Sequence, residues 1–321
     1  MKRYTVILLA LLCLIMAASA CQRTEAPSGD GNISVVCTVF PQYDWVRQIL
    51  GDKADNIGLT LLLNNRIDLH SYQPSVEDML KVSSCDLFIY VGGESDKWAG
   101  DALKQAINPN MIVISLLDTL GDAAKREELL EGMEEDDEEE DGDEYDEHVW
   151  LSLGNARTFC CAITEALTSL DEDNADVYTD NLRDYIEKLA ELDVEYREAI
   201  GAAPVKTLLF GDRFPFRYLM DDYGIDCFAA FPGCSAETEA SFDTIIFLAD
   251  KMDELNLNTV MVTESSNQSI ARTIISNTEA KNQKILVLDS IQSVTLGGAG
   301  SGTTYLSIME SNLNVLKEAL Q

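Results

Sequence analysis

Residues 173–204 read DNADVYTDNLRDYIEKLAELDVEYREAIGAAP, and this stretch decides the architecture. Tyr178, Leu182, Tyr185, Leu189, Leu192 and Tyr196 recur at intervals of 4, 3, 4, 3 and 4, the spacing of one continuous apolar stripe along an α-helix. Asp173 or Asn174 suits an N-cap, and Gly201 and Pro204 end the pattern. The spacing predicts a helix over 173–201. A helix of about 25 residues spans roughly 38 Å, long enough to run across two lobes instead of sitting inside one.

Strand and helix signals alternate on both sides of that helix. Before it, apolar runs at 33–40, 57–63, 87–91 and 111–115 read as strands, and 43–50, 75–82, 96–106 and 156–169 as helices. After it, strands fall at 205–210, 225–230, 259–263 and 285–288, with helices at 214–222, 238–255, 270–277 and 304–320. The glycine-rich residues 297–302 read as a loop. Such alternation predicts an α/β fold: two similar lobes with mostly parallel sheets, joined by one long rigid helix. Loops beyond the strand ends then face each other across a cleft suited to a ligand. The expected organisation is 33–172 for the first lobe, 173–201 for the linking helix and 202–321 for the second lobe.

The N-terminus reads as an address. Lys2 and Arg3 precede an apolar run, and Ala18-Ser19-Ala20 leads into Cys21, so 1–20 is expected to be a signal peptide. Cys21 then resembles the lipidated cysteine of a bacterial lipobox, and the polar residues 21–32 a flexible tether. The expected product is an extracytoplasmic monomer, lipid-anchored at the outer face of the bacterial cell membrane. Six further cysteines, Cys37, Cys85, Cys160, Cys161, Cys227 and Cys234, form no compact disulfide framework.

Charge and absent motifs narrow the function. With 23 Lys+Arg against 56 Asp+Glu, the net charge is −33. That field repels nucleic acid and attracts cations. Over a third of it lies in 134–147, EEDDEEEDGDEYDE, which reads as a solvated loop able to concentrate cations beside His148. There is no GxxxxGK[ST] loop, GxSxG elbow or HExxH helix, and with only two histidines, His70 and His148, a catalytic triad or multi-histidine catalytic centre has little to draw on. Each histidine stands beside carboxylates, which can orient an imidazole toward a metal.

Five ordered segments carry a resemblance over some 250 residues. They are DLHSYQPSVEDMLKVSSCDLFIYVGGESDKW (68–98), DEHVWLSLGNA (146–156), the long helix with Tyr178 and Asn181, DRFPFRYLMDDYGI (212–225), and VTESSNQSIARTI (262–274) with LDSIQSV (288–294). Together they resemble the zinc/manganese-type (cluster A-I) solute-binding lipoproteins of bacterial ABC importers.

That resemblance implies a receptor, not an enzyme, which captures Zn²⁺ between the lobes and passes it to a membrane permease with a separate ATPase subunit. Segments resembling manganese-binding relatives keep Mn²⁺ open. The resemblance makes His70, His148 and Asp289 metal ligands. It also puts Arg213 where relatives carry a histidine or glutamate ligand, and a guanidinium cannot ligate a cation. Three readings follow. In the first, Arg213 is salt-bridged to Asp212 or Glu237 while Cys234 completes the shell; in the second, three protein ligands bind with water; in the third, metal binding is lost or changed and Arg213 recognises an anion. Arg213, Glu264 and Glu237 are expected to line the cleft. The competing readings are a surface adhesin or scaffold of the same fold and a metal-dependent hydrolase.

Overall fold

The computed structural model describes residues 33–64, 68–133, 144–234, 239–299 and 302–321. The signal, Cys21, the tether, most of the acidic run and Glu237 lie outside the described residues. Two four-stranded sheets form the frame. In the first, β1 (Ser34–Cys37), β2 (Gly58–Leu61), β3 (Leu87–Tyr90) and β4 (Ile112–Ser115) pair in the order β2-β1-β3-β4. In the second, β5 (Thr207–Phe214), β6 (Asp226–Pro232), β7 (Thr259–Thr263) and β8 (Lys284–Leu288) pair as β6-β5-β7-β8. Every pairing in both sheets is parallel, as strands joined by helical crossovers require.

The linking helix spans Ala175–Ala202, 28 residues. Tyr178, Tyr185, Leu189, Leu192 and Tyr196 of its stripe are buried, and Leu182 is half-buried. Asn174 is its N-cap residue but makes no side-chain cap; its amide bonds Asp171 instead. Among the described residues no helix is long and apolar enough to cross a membrane.

Two of the differences from the expected element boundaries have a clear local cause. The first helix begins at Phe40, inside the expected first strand. The Gln42 amide oxygen accepts from the backbone N–H groups of Thr38 and Val39, and Pro41 fits a first helical turn. In the second lobe, β5 continues to Phe214 and the following helix starts only at Arg217. A register shift between Phe210 and Arg213 bulges the strand, which re-aims its side chains while pairing with β6 resumes. Asp212 and Arg213 therefore sit on a strand. Residues Leu296–Ala299, inside the expected loop, form a short helical turn.

One apolar core runs through both lobes and the linking helix. Trp45 packs against Phe159 and Tyr305 at ring-centroid distances of 5.6 and 5.2 Å. Polar bonds tie the lobes through the same region. Trp150 Nε1 donates to the Ser290 carbonyl at 2.9 Å, and the Tyr305 hydroxyl donates to the Trp150 carbonyl at 2.7 Å. On the helix, the Tyr196 hydroxyl donates to the Met309 carbonyl at 2.6 Å. Cys37, Cys85 and Cys160 are buried, and all six described cysteines are free.

The Tyr305→Phe variant leaves the buried Trp150 carbonyl without its donor and should destabilise the fold by about 1–3 kcal/mol. Urea unfolding followed by tryptophan fluorescence should show a lower midpoint with an unchanged m-value. An unchanged midpoint would mean that this joint carries no stability.

Candidate metal centre

Each histidine is presented by a short 3₁₀ turn. His70 lies in Leu69–Ser71, where the Asp68 carboxylate caps the turn by accepting the His70 N–H at 3.0 Å. His148 precedes Val149–Leu151, and its N–H donates to Asp146 Oδ1 at 2.8 Å. The Trp150 ring stacks edge-on beneath the His148 ring at 5.4 Å, so the joint between the lobes also seats the second histidine.

The outer ring nitrogens are held and the inner ones converge. His70 Nδ1 lies 2.8 Å from Ser95 Oγ and 3.5 Å from Glu147 Oε2. His148 Nδ1 lies 3.0 Å from Asp146 Oδ1. With protons on those nitrogens, both Nε2 lone pairs face one point, as when an acceptor fixes a metal-binding tautomer. The two Nε2 atoms are 3.2 Å apart. Two nitrogens on a tetrahedral zinc ion at about 2.0–2.1 Å sit about 3.3 Å from each other. The histidines are already spaced as ligands.

Cys234 offers a third potential ligand atom, in the turn after β6, where its N–H donates to Glu127 Oε1 at 3.1 Å. The ligand atoms of His70, His148 and Cys234 all lie within 4.8 Å of one another. Gly233 makes the approach feasible. A Cβ there would stand 2.9 Å from the Phe214 carbonyl oxygen and 3.1 Å from His148 Cε1. Gly93, at φ +81°, likewise leaves room for the Glu147 carboxylate beside His70. Two imidazoles and one thiol suit a thiophilic dication such as zinc.

The electrostatics treat the three groups differently: burial disfavours a charged His70 and an ionised Cys234, while neighbouring carboxylates favour the cationic form of His148. Burial, the neighbouring His148 and the Arg213 cation push His70 down to about 3, against the opposing pull of Asp68. Burial would also lower His148, but Asp146, Glu147 and Glu127 outweigh it and raise that imidazole. Imidazoles at 3.2 Å cannot both be charged, so protonation of one opposes protonation of the other. Burial, reinforced by Glu127, Asp146 and Glu147, drives the Cys234 thiol well up. Burial lifts Glu147 to about 7, and its Oε2 has no hydrogen-bond partner.

Asp289 lies outside the three-donor group. It follows β8, and its Oδ1 accepts the Ile291 N–H at 2.7 Å. Burial and the nearby Glu264 push it up to about 6. Ile291 adopts φ 65°, a strained conformation for a β-branched residue, so this loop is held rather than relaxed. Glu264 accepts from Ser290 N, Ser290 Oγ and Ser293 Oγ at 2.8–3.0 Å. Arg213, Glu264 and Asp68 line a cavity of about 250 Å³ with Gly233, Ser290 and Gln292. The Arg213 guanidinium reaches across to the first lobe, where Nη2 donates to Asp68 Oδ2 at 2.7 Å. Asp212, an expected partner, spends its carboxylate on the Arg213 and Thr263 backbone N–H groups and the Thr263 hydroxyl.

Sequence reasoning missed Ser95, Glu127 and the Asp68–Arg213 pair. Ser95 lies 25 residues from His70 and Glu127 lies 107 from Cys234, and no local pattern reports such pairings.

The family profile described as ZnuA, zinc-uptake complex component A periplasmic, matches residues 35–319. The zinc-binding lipoprotein AdcA of Streptococcus pneumoniae is 28% identical over 324 residues, covering 99% of this chain. The chain spans 61% of AdcA's own length. The high-affinity zinc uptake system protein ZnuA of Bacillus subtilis is 28% identical over 328 residues, with 99% of this chain and 98% of that protein covered. Among solved structures, the Zn(II)-bound ZnuA-like domain of S. pneumoniae AdcA superposes with a TM-score of 0.70 at 27% identity, over 90% of this chain and 99% of that one. With nearly its whole described length matched by one profile, the chain belongs to the ZnuA family of zinc-uptake complex components.

Proposed function

We propose that this protein is an extracytoplasmic receptor that captures Zn²⁺ in the cleft between its lobes. It hands the ion to the permease and ATPase of an ABC importer, from an N-terminal lipid anchor at Cys21. The observation that carries this reading is the convergence of His70 Nε2, His148 Nε2 and Cys234 Sγ, supported by the zinc uptake and zinc binding described for its relatives. Zinc is cargo, and no bond is made or broken. The thiol favours zinc over manganese, which prefers an oxygen-rich shell.

In this reading the ion docks on the three donors, and Asp289 comes in from the second lobe as the fourth ligand during a small closure. The continuous core and the 28-residue helix oppose a wide hinge motion. The changed-ligand reading is opposed by the Arg213 guanidinium, which already donates to the Asp68 carboxylate.

Elemental analysis after stripping, reloading with equimolar Zn²⁺ and Mn²⁺, and desalting should find one zinc per chain. His148→Ala should abolish retention, and Cys234→Ser should weaken binding by at least about tenfold, the scale of a lost ligand. Wild-type protein that retains no zinc would overturn the proposal.

The raised thiol gives a second test. A group whose pKa is lifted stays protonated at pH 7, so zinc must displace that proton to gain a thiolate. Calorimetry in buffers of different ionisation heat should show about one more proton released by wild type than by Cys234→Ser. Affinity should climb with pH through the neutral range. Equal proton release by the two proteins would remove Cys234 from the ligand set.

A further inference from the structure

The cleft already contains a cation of its own. The Asp68–Arg213 pair bridges the two lobes at 2.7 Å, with both side chains about four-fifths buried. The geometry points to Arg213 as an affinity-limiting residue: its guanidinium ties the lobes together before metal arrives and opposes the ion once it has entered. The inference rests on the receptor reading above, because it concerns the same three donors.

Both ends of the pair are built in. Asp68 caps the turn that carries His70 and keeps its Oδ1 4.0 Å from His70 Nε2, so the carboxylate that binds Arg213 borders the donor group. Arg213 stands where the β5 bulge ends, with its N–H fixed by Asp212, which is itself pinned by Thr263 on β7. The guanidinium is aimed by a sheet, not by a mobile loop. It cannot shed its charge, and it has no lone pair to offer a metal.

Two consequences follow. The lobes are joined across the cleft by Arg213 in the metal-free protein, so the donors are preorganised without an ion. A dication placed among His70, His148 and Cys234 then meets a fixed positive charge that Asp68 only partly neutralises. The receptor binds more weakly than its donor set alone would, and it releases the ion more readily.

Zinc affinity and release should be measured by competition with a chromophoric chelator on the purified full chain, with amide exchange followed in the metal-free protein. Arg213→Gln should tighten zinc binding by about tenfold, mostly through slower release, and Arg213→Lys, which keeps the charge, should stay near wild type. Asp68→Asn should weaken binding by a similar factor, because it removes the carboxylate that offsets Arg213 beside the donors. Either single substitution to a neutral residue should speed exchange in residues 68–72 and 211–216. A purely structural role predicts instead that Arg213→Gln weakens zinc binding, and that outcome, or unchanged affinity and exchange, overturns the inference. If wild type binds no zinc, the receptor reading fails, while the exchange arm still decides whether Arg213 ties the lobes.

Discussion

Burial of Trp150 between the lobes is the constraint on which the rest of the molecule depends. Its ring is fully buried, its indole N–H is spent on Ser290 of the second lobe, and its carbonyl is capped by Tyr305 near the C-terminus. The Tyr305 N–H in turn is held by Asp44 in the first lobe's opening helix. An indole and a phenol are stable in an apolar core only when their polar atoms are paired. The lobes therefore cannot separate here without exposing both. His148 sits directly over this indole, so the joint between the lobes also seats a candidate metal ligand.

That coupling explains why a cleft protein can do without flexible hinge strands. The linking helix buries its stripe in a core shared with both sheets, and the Tyr196 hydroxyl bonds the last helix. The candidate site is built instead on loops that follow the strands: the turn bearing His70, the turn bearing Cys234 and the strained loop after β8.

The fold was legible because its periods are long and regular. The linking helix announces itself through Tyr178 to Tyr196, and the alternation of strand and helix implies parallel sheets whatever the exact boundaries. Local side-chain chemistry hid the rest. Gln42 starts a helix where a strand pattern continues, and a bulge carries β5 past its apolar run to place Arg213. In the site, His70 and His148 stood out through scarcity, and Cys234 through the need to replace a donor at Arg213. Nothing in the sequence could show that Arg213 reaches Asp68, because ion pairs 145 residues apart are made by topology alone.

The charge around the donors gives the site its logic. Asp146, Glu147, Glu127 and Asp68 all border it, and each is bound to a donor residue or stands beside one. Burial, reinforced by Glu127, Asp146 and Glu147, disfavours ionisation of the Cys234 thiol. The same negative charge favours a cation in the cleft. Arg213 supplies the opposite restraint. With it the second lobe offers the cleft a permanent positive charge on a side chain that cannot become a ligand. In the proposed reading, capture by converging donors and release against a fixed cation would be two sides of one arrangement of charge, set by which residues stand at 68, 148, 213 and 234.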